Sequence, residues 1–483
     1  MRTTAAQRGR TELVRGLRLQ ADGPAPDAYA SLCLARASLA ADPVPALAAT
    51  VAAVGAAWTA GDHPACVEAL TAALSRPGAP DGPREEYLAG MLALLVERPG
   101  DAAPLLAGVV EQVRATSDGE SLLIGVAAAL LAGDVGSACH TGARALAAAR
   151  ADGDEAMVAR ATEYVAYAEL RAGRHALARE HASRGLRAAL RTGRANTAAH
   201  HHAVLALTAS VQGTSAEVRE HAHAALATAR RHGLAQPVTL AEWALGRAEL
   251  AQGRAAEAAA RIGSLLADPD GGAHFALRGL VLPLLVEAAM LAGDDATARA
   301  AIPELTRWSR SAADPHGPAL ELRCRALVAS ADAEADDLYR RAHAAHQQVG
   351  GGFETARTLL LHGMWLRRHR RPGDARDRLR DALRLLERCG AEPWARGART
   401  ELRAAGAVQD APAPDAVGSL TPHQLRVARC VAAGDTNREI AERLAVSVRT
   451  VDCHLRNIFV ALQVRSRVEL TRLLPPEHDP PST

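Results

Sequence analysis

The chain has 483 residues, a length that predicts at least two domains. Apolar residues make up 48% and aromatic residues only 3%, so the core is expected to be built from Ala, Leu and Val. The formal net charge is +2, so any basic surface must be local. All 56 basic residues are arginine, and this absence of lysine excludes a P-loop, a Schiff base and a lysine-dependent phospho-receiver site.

The cysteine pattern and the N-terminal sequence indicate the cellular compartment in which the protein is expected. The seven cysteines form no C-x-x-C motif, which favours a reducing cytoplasm over a disulfide framework. The N-terminus lacks the apolar segment of a signal peptide, and no run of 18 apolar residues predicts a membrane span. We therefore expect a cytoplasmic protein with no membrane partner.

Glycines recur with a fixed period through the first 300 residues. One series is spaced by 40 residues, a second lies half a period away, and Gly373 falls two periods beyond the first: Gly133, Gly173, Gly213, Gly253 and Gly293, then Gly153, Gly193 and Gly233. Glycine suits the left-handed position that ends a helix, so two series predict two helices per repeat. Within one repeat, Leu170, Ala176, Leu177 and Leu186 are expected to face the core.

A single helical hairpin cannot bury its apolar face, so hairpins are expected to stack into a solenoid. Residues 1–405 are predicted to form nine or ten hairpins that resemble tetratricopeptide repeats, and the whole chain is predicted to be all-α. An unrelated helical bundle is the alternative, against which the constant period argues. The concave face would hold an unknown ligand or protein. Residues 406–419 are predicted to be a linker and residues 475–483 a disordered tail.

Three consecutive histidines at 200–202 invite a metal interpretation. Neighbouring residues of a helix point in different directions, so we expect a solvated or groove-lining face instead. The remaining His and Cys pairs lack zinc spacing, and no catalytic triad or carboxylate pair is readable. We expect neither a metal, a cofactor nor an enzymatic activity.

Residues 420–474 are predicted to contain four short helices with clear start signals. Three starts have the capping-box pattern and the fourth begins at Ser447: Thr421 with Gln424, Thr436 with Glu439, and Ser466 with Glu469. Only three residues separate the second and third helices, as in a helix-turn-helix. The module carries nine Arg against five Asp and Glu, a local net charge of +4.

The segment "AGDTNREIAERLAVSVRTVDCHLRNIFVALQVRSRVEL" resembles the DNA-binding domain of LuxR-type transcriptional regulators. In that family the third helix lies in the major groove and the fourth often joins two copies on a two-fold site. Residues 353–406 are similar to the last repeats of the large ATP-binding LuxR-type regulators. Since no P-loop is present, we expect either a short relative without the ATPase or a true start further upstream.

The resemblance implies particular roles for the residues of this module. Base-edge contacts are expected from Asp452, Cys453 and Arg456, and contacts to phosphates or helix orientation from Arg438, Arg449, Thr450 and His454, with Arg465 and Arg467 on the DNA backbone. A dimer interface is expected among Val468, Leu470 and Leu473. Asp452 is expected to pair with Arg456, one helical turn away. Ala461 departs from the family, which usually has Lys or Arg there.

The function these features favour is sequence-specific DNA binding by a transcriptional regulator. The expected partner is double-stranded promoter DNA, bound by a homodimer, with RNA polymerase as a further candidate partner. The helical-repeat domain would sense a ligand or protein. The alternative is a repeat scaffold for protein interaction with a vestigial DNA-binding module, which Asp452 and Ala461 keep open.

Overall fold

The computed structural model describes residues 4–75, 82–267, 272–311, 314–350, 352–406, 420–444, 446–462, 464 and 466–474. The regular structure of these residues is helical throughout. The chain divides into two compact units, residues 1–402 and 403–483. The predicted linker, apart from Gly406, and the predicted tail lie outside the described residues.

Before residue 405 the described residues form 21 α-helices, with one turn of 3₁₀ helix at Val113–Ala115. Their bounds are α1 Ala5–Ala21, α2 Ala25–Ser38, α3 Pro43–Ala60, α4 His63–Leu74, α5 Pro83–Leu95, α6 Pro99–Gln112, α7 Gly119–Leu131, α8 Val135–Ala151, α9 Glu155–Arg171, α10 His175–Arg191, α11 Ala195–Gln212, α12 Ser215–His232, α13 Ala235–Ala251, α14 Ala255–Ala267, α15 Arg278–Ala292, α16 Asp295–Ser311, α17 Gly317–Val328, α18 Asp332–Val349, α19 Gly352–Arg368, α20 Pro372–Arg388 and α21 Glu392–Ala404. Most of these helices pack chiefly on their neighbours in sequence, as in a tetratricopeptide-like solenoid.

The glycine series marks the helix ends as predicted, with informative exceptions. Most members have positive φ, for example +72° at Gly173 and +69° at Gly153. Gly213 is extended instead, with φ −104°. Gly373 lies inside the first turn of α20, and the left-handed position before it is taken by Arg370, with φ +59°. A non-glycine side chain is therefore tolerated at that helix end, although it is conformationally costly.

The buried stripe of α10 differs from the predicted one. It runs through His175, Ala178, Ala182, Gly185, Ala188 and Ala189. Leu177 is 42% exposed and Ala176 is also exposed, so their assignment to the core was wrong. Small residues form the stripe because they let adjacent helices approach closely, and Leu177 lies off that contact line.

Helix α11 is enclosed by both ends of the solenoid. Fifteen of its 18 residues are buried. Asn196 Nδ2 donates to the carbonyls of Leu19, Gln20 and Gly23 at 3.0–3.2 Å. At the other end of the helix, Trp394 Nε1 donates to Ser210 O at 2.9 Å. The solenoid thus winds back on itself, with the first and last helices both held against α11.

The histidine run lies on this enclosed helix. His200 and His201 are buried, and His201 Nε2 lies 3.3 Å from Ala159 O. The expected solvated face is therefore wrong for both of these residues. Gly185 makes room for the His201 ring, because a Cβ there would lie 2.2 Å from the ring's Cε1. Among the described residues no cluster of His, Cys, Asp and Glu could hold a metal.

One described helix, Pro43–Ala60, is long and apolar enough by composition to cross a membrane. Its contacts are those of a core helix. It packs on α2, α4 and α13, and His274 Nε2 lies 2.7 Å from Trp58 O. Seven of its 18 residues are buried, among them Ala49, Ala53 and Ala57.

The described residues of the second unit form four further helices: α22 Pro422–Ala432, α23 Asn437–Arg443, α24 Val448–Ala461 and α25 Arg467–Leu473. Thr421 with Gln424 and Thr436 with Glu439 form complete capping boxes. The Ser466 hydroxyl accepts a hydrogen bond from Glu469 N at 3.2 Å. The four helices share one apolar core around Val427, Val431, Ile440, Val451 and Ile458.

Replacing Asn196 with Ala should destabilise the solenoid. Three carbonyls would lose their donor, and His232 Nδ1, at 2.8 Å from Asn196 Oδ1, would lose its partner. We expect a loss of about 2–4 kcal/mol in the free energy of unfolding, measured by urea denaturation of the full chain. Asn457→Ala, at an exposed position of α24, is the matched control. Equal midpoints for the two variants would contradict the role of Asn196.

Five buried histidines should make the fold sensitive to acid. Burial lowers the pKa of His175, His200, His201 and His274 to about 4, and that of His346 to about 3. In the unfolded chain their pKa is about 6.5, so each takes up a proton on unfolding between those values. Stability should therefore fall as the pH drops below about 6.5, by about 1.4 kcal/mol per pH unit per histidine at most.

Urea denaturation at pH 8, 7, 6 and 5 checks this dependence. His201→Gln should reduce the slope by about one proton, whereas His223→Gln, at an exposed site, should leave it unchanged. A stability that stays constant from pH 7 to pH 5 would refute the prediction.

Candidate nucleic-acid interface

Helix α24 has one buried face and one open face. Val451, Leu455, Ile458 and Leu462 are buried in the core of the second unit, which confirms the predicted stripe. Arg449, Asp452, Cys453, Arg456 and Asn457 are exposed. The open face thus presents two guanidinium groups, an amide, a thiol and a carboxylate at helical spacing. This set contains both donors and acceptors, as recognition of base edges requires.

The start of α24 is fixed by two hydroxyl groups. Thr450 N donates to Ser447 Oγ at 3.1 Å, and the two hydroxyls lie 2.7 Å apart. Thr450 is half-buried, so it orients the first turn of the helix. The ring of His454, also half-buried, lies 5.1 Å from the ring of His423 on α22. Both residues hold α24 in place.

Asp452 makes a contact that the sequence did not reveal. Asn437 Nδ2, at the start of α23, donates to Asp452 Oδ1 at 2.7 Å. Arg467 Nη1, at the start of α25, donates to Asn437 Oδ1 at 2.8 Å. Three helices are therefore joined through Arg467, Asn437 and Asp452, which we call the polar tie. No ion pair joins Asp452 to Arg456 within the described part of the domain, so that expectation was wrong.

The polar tie changes the expected role of Arg467. Its guanidinium is turned towards Asn437 and is half-buried, so it supports the helix arrangement. Arg449 and Arg456, in contrast, are exposed on α24 and form no ion pair with any described residue. Arg438 is also exposed, with Glu442 3.5 Å away. Arg465 lies outside the described residues.

The three residues expected at a dimer interface differ in accessibility. Val468 is 61% exposed. Leu470 is fully buried in the core of its own domain, so it is withdrawn from the candidate interface. The side chains of Leu473 and Ala461 lie outside the described residues.

Sequence reasoning missed Asn437 because it was read only as part of the "TNRE" helix start. The available signal was its place directly after the cap Thr436, where a side chain can reach the neighbouring helix. Its partners lie 15 and 30 residues further on, and no local pattern connects them.

Two helices joined by a short turn, with a third packed across them and a basic exposed face on the second, define a helix-turn-helix DNA-binding domain. Residues 418–474 match the family model described as bacterial regulatory proteins, luxR family. This C-terminal domain is a LuxR-family helix-turn-helix domain.

Curated relatives match the chain over segments of 50–55 residues. A helix-turn-helix-type transcriptional regulator of Mycobacterium bovis is 49% identical over 53 residues, which are 11% of this chain and 6% of that protein. The transcriptional regulator AlkS of Alcanivorax borkumensis is 46% identical over 50 residues, 10% of this chain and 6% of its own. A nitrate/nitrite response regulator homologue of Haemophilus influenzae is 44% identical over 55 residues, 11% and 26% of the two chains.

Solved helical-repeat proteins resemble the solenoid more loosely. A Rap protein complexed with competence and sporulation factor covers 82% of this chain and 97% of its own at 12% identity, with a TM-score of 0.42. Yeast Tom70 covers 82% and 96% at 12% identity, with a TM-score of 0.31. The description of the fold therefore rests on the helices and contacts of this chain.

Replacing Asn437 with Ala should loosen the helix-turn-helix domain. It removes both hydrogen bonds of the polar tie, which are partly exposed, so we expect a cost of about 1 kcal/mol. Amide exchange in α23 and α24, measured by mass spectrometry on the full chain, should accelerate about fivefold. Asn457→Ala, which removes an exposed amide from α24, should leave exchange unchanged. Protection equal to that of the unaltered chain would show that the tie contributes nothing.

Proposed function

We propose that the protein is a sequence-specific DNA-binding transcriptional regulator acting in the cytoplasm. The observation that carries the proposal is the open face of α24, where Arg449 and Arg456 are exposed and form no ion pair with another described residue. The LuxR-family domain and its regulator-named relatives support the same conclusion. Helix α24 would enter the major groove of promoter DNA.

Base readout would be shared between Asp452, Cys453 and Arg456. An arginine can donate two hydrogen bonds to guanine, and a carboxylate can accept one from the amino group of cytosine. The polar tie uses Asp452 Oδ1 and holds the side chain in one orientation, while its other oxygen remains available for a base. Arg438 and Arg449 would contact phosphates, with Thr450 and His454 positioning the helix. We expect a homodimer on DNA, with Val468 at its interface.

The solenoid would be the sensory part of the regulator. A ligand or a protein bound to it would alter DNA binding or assembly, and recruitment of RNA polymerase would follow. A protein-interaction scaffold with a vestigial DNA-binding module is the competing function. The two functions differ in one measurable property, since only the regulator binds DNA with a steep dependence on salt.

Replacing Arg456 with Ala tests the regulator. We expect a loss of about 1–3 kcal/mol on the preferred site, selected from random duplexes, and a smaller loss on other sequences. Fluorescence anisotropy across a salt series measures both. Arg426→Ala removes an equal charge from an exposed position of α22 and is the control. Absence of salt-dependent DNA binding by the unaltered protein would favour the scaffold.

A further inference from the structure

The solenoid encloses a cavity lined by the first helices of successive hairpins. These are α9, α11, α13, α15, α17 and α19, and Trp394 of α21 also lines the space. The space measures about 1000 Å³, including the part open to solvent. Because part of this space is open solvent, the volume sets only an upper limit on the size of a ligand.

The wall of the cavity is unusually aromatic for this chain. The whole sequence has five Trp, five Tyr and three Phe. Two Trp, one Tyr and one Phe of that small set line this cavity: Trp243, Trp394, Tyr167 and Phe353. Leucines and Pro283 complete the apolar surface. A wall of this kind favours an apolar or aromatic body.

Seven charged side chains also line the cavity, four arginines and three carboxylates, which leaves a surplus of one positive charge. Arg171 is paired with Asp314, and Arg357 is paired with Glu287. Arg323 Nη1 donates to Glu354 Oε2 at 2.8 Å. The fourth arginine, Arg247, has no carboxylate of its own.

Arg247 is incompletely partnered although it is only 7% exposed. Its Nη2 lies 3.8 Å from Glu354 Oε1, beyond hydrogen-bond distance, and Glu354 is already bonded to Arg323. Its guanidinium carbon lies 4.7 Å from the centre of the Trp243 ring and 5.4 Å from that of Phe353. Aromatic faces attract a cation but do not neutralise it.

The charges of this cluster persist at neutral pH. Burial acts against the Glu354 carboxylate, but the charges of Arg323 and Arg247 hold its pKa down to about 2. Burial lowers the pKa of Arg247 to about 10, assisted by the charge of Arg323. Both groups are therefore ionised at pH 7.

We propose that this cavity binds a small organic carboxylate, with its charged group against Arg247 and its apolar body among Trp243, Phe353 and the leucines. The inference rests on the proposed function in one respect, since it gives the chemistry of the ligand that the solenoid would sense. A carboxylate supplies the second acceptor that Arg247 lacks, in the planar geometry that a guanidinium prefers. Binding would neutralise the cluster.

The charge balance makes the proposal specific. A neutral analogue would leave Arg247 unneutralised, and a phosphate dianion would replace a surplus positive charge with a surplus negative one. The expected ligand is therefore a monoanion. The carboxylate of a free acid and the carboxylate at the C-terminus of a short peptide share this chemistry, and the experiment separates the two sources.

The test is calorimetric titration of the full chain with phenylacetate, 3-phenylpropanoate and hexanoate, each matched with its neutral amide. Inorganic phosphate and an acetylated Ala-Phe dipeptide with a free C-terminus complete the set of probes. At least one free acid should bind at least tenfold more tightly than its amide and than phosphate. Comparable binding of acid and amide would overturn the proposal, as would the absence of binding by every acid at about 10 mM. Preference for the dipeptide over the free acids would overturn the assignment to a small molecule.

Arg247→Met should weaken acid binding at least tenfold, whereas Arg187→Met, at an exposed position of α10, should leave it within about twofold. Unchanged binding by Arg247→Met would refute the site. A second variant covers the case in which Arg247→Met does not fold. Glu354→Gln removes the carboxylate charge that lies beside both Arg323 and Arg247. The acid should therefore bind this variant more tightly, whereas the affinity for the amide should not change. Equal effects on both ligands would refute the role of the charge.

DNA affinity measured in the same samples separates the two proposals. A protein that binds DNA but no carboxylate would overturn this site and leave the regulator standing. A protein that binds the carboxylate but no DNA would support this site and contradict the proposed function.

Discussion

The burial of α11 is the constraint on which the first unit depends. A solenoid normally exposes both faces of every repeat, yet this helix is covered on nearly all sides because the first and last helices return to it. The contacts join residues about 180 positions apart, such as Asn196 with Leu19 and Trp394 with Ser210. These long-range hydrogen bonds convert an open array of hairpins into an enclosed wall. The cavity exists because that enclosure brings the first helices of distant repeats to one place.

Local periodicity predicted the repeat well, because helix ends are set by neighbouring residues. The positive φ of Gly153 and Gly173 follows directly from the spacing of glycines. Burial of α11 could not be predicted in the same way. His200 and His201 contact the preceding helices α9 and α10, and the returning first and last helices of the solenoid cover the two ends of α11 at Asn196 and Ser210. Contacts of such range leave no mark in the spacing of residues along the chain.

The candidate DNA-binding face also depends partly on local sequence spacing and partly on contacts between residues that are distant in sequence. The buried stripe of α24 was readable from steps of three and four residues, so its open face followed as well. The partner of Asp452 was not readable, because an Asp four residues before an Arg suggests an ion pair on a free helix. In the folded domain Asn437 competes for the carboxylate from a neighbouring helix. The carboxylate of Asp452 on α24 is therefore positioned by the first residue of α23.

The surplus of positive charge in the second unit can be read from the sequence, whereas the surplus around the cavity of the first unit cannot. In the second unit the excess of arginine is concentrated within 55 residues, so counting along the sequence reveals it. In the first unit the arginines lie on four separate helices and their carboxylate partners lie elsewhere in the chain, so no window of sequence shows the surplus. Buried ion pairs add little to stability and are often replaceable by apolar residues, whereas a buried cation without a full partner is costly. A cavity that keeps Arg247 in that state is better explained by a bound anion than by the needs of folding.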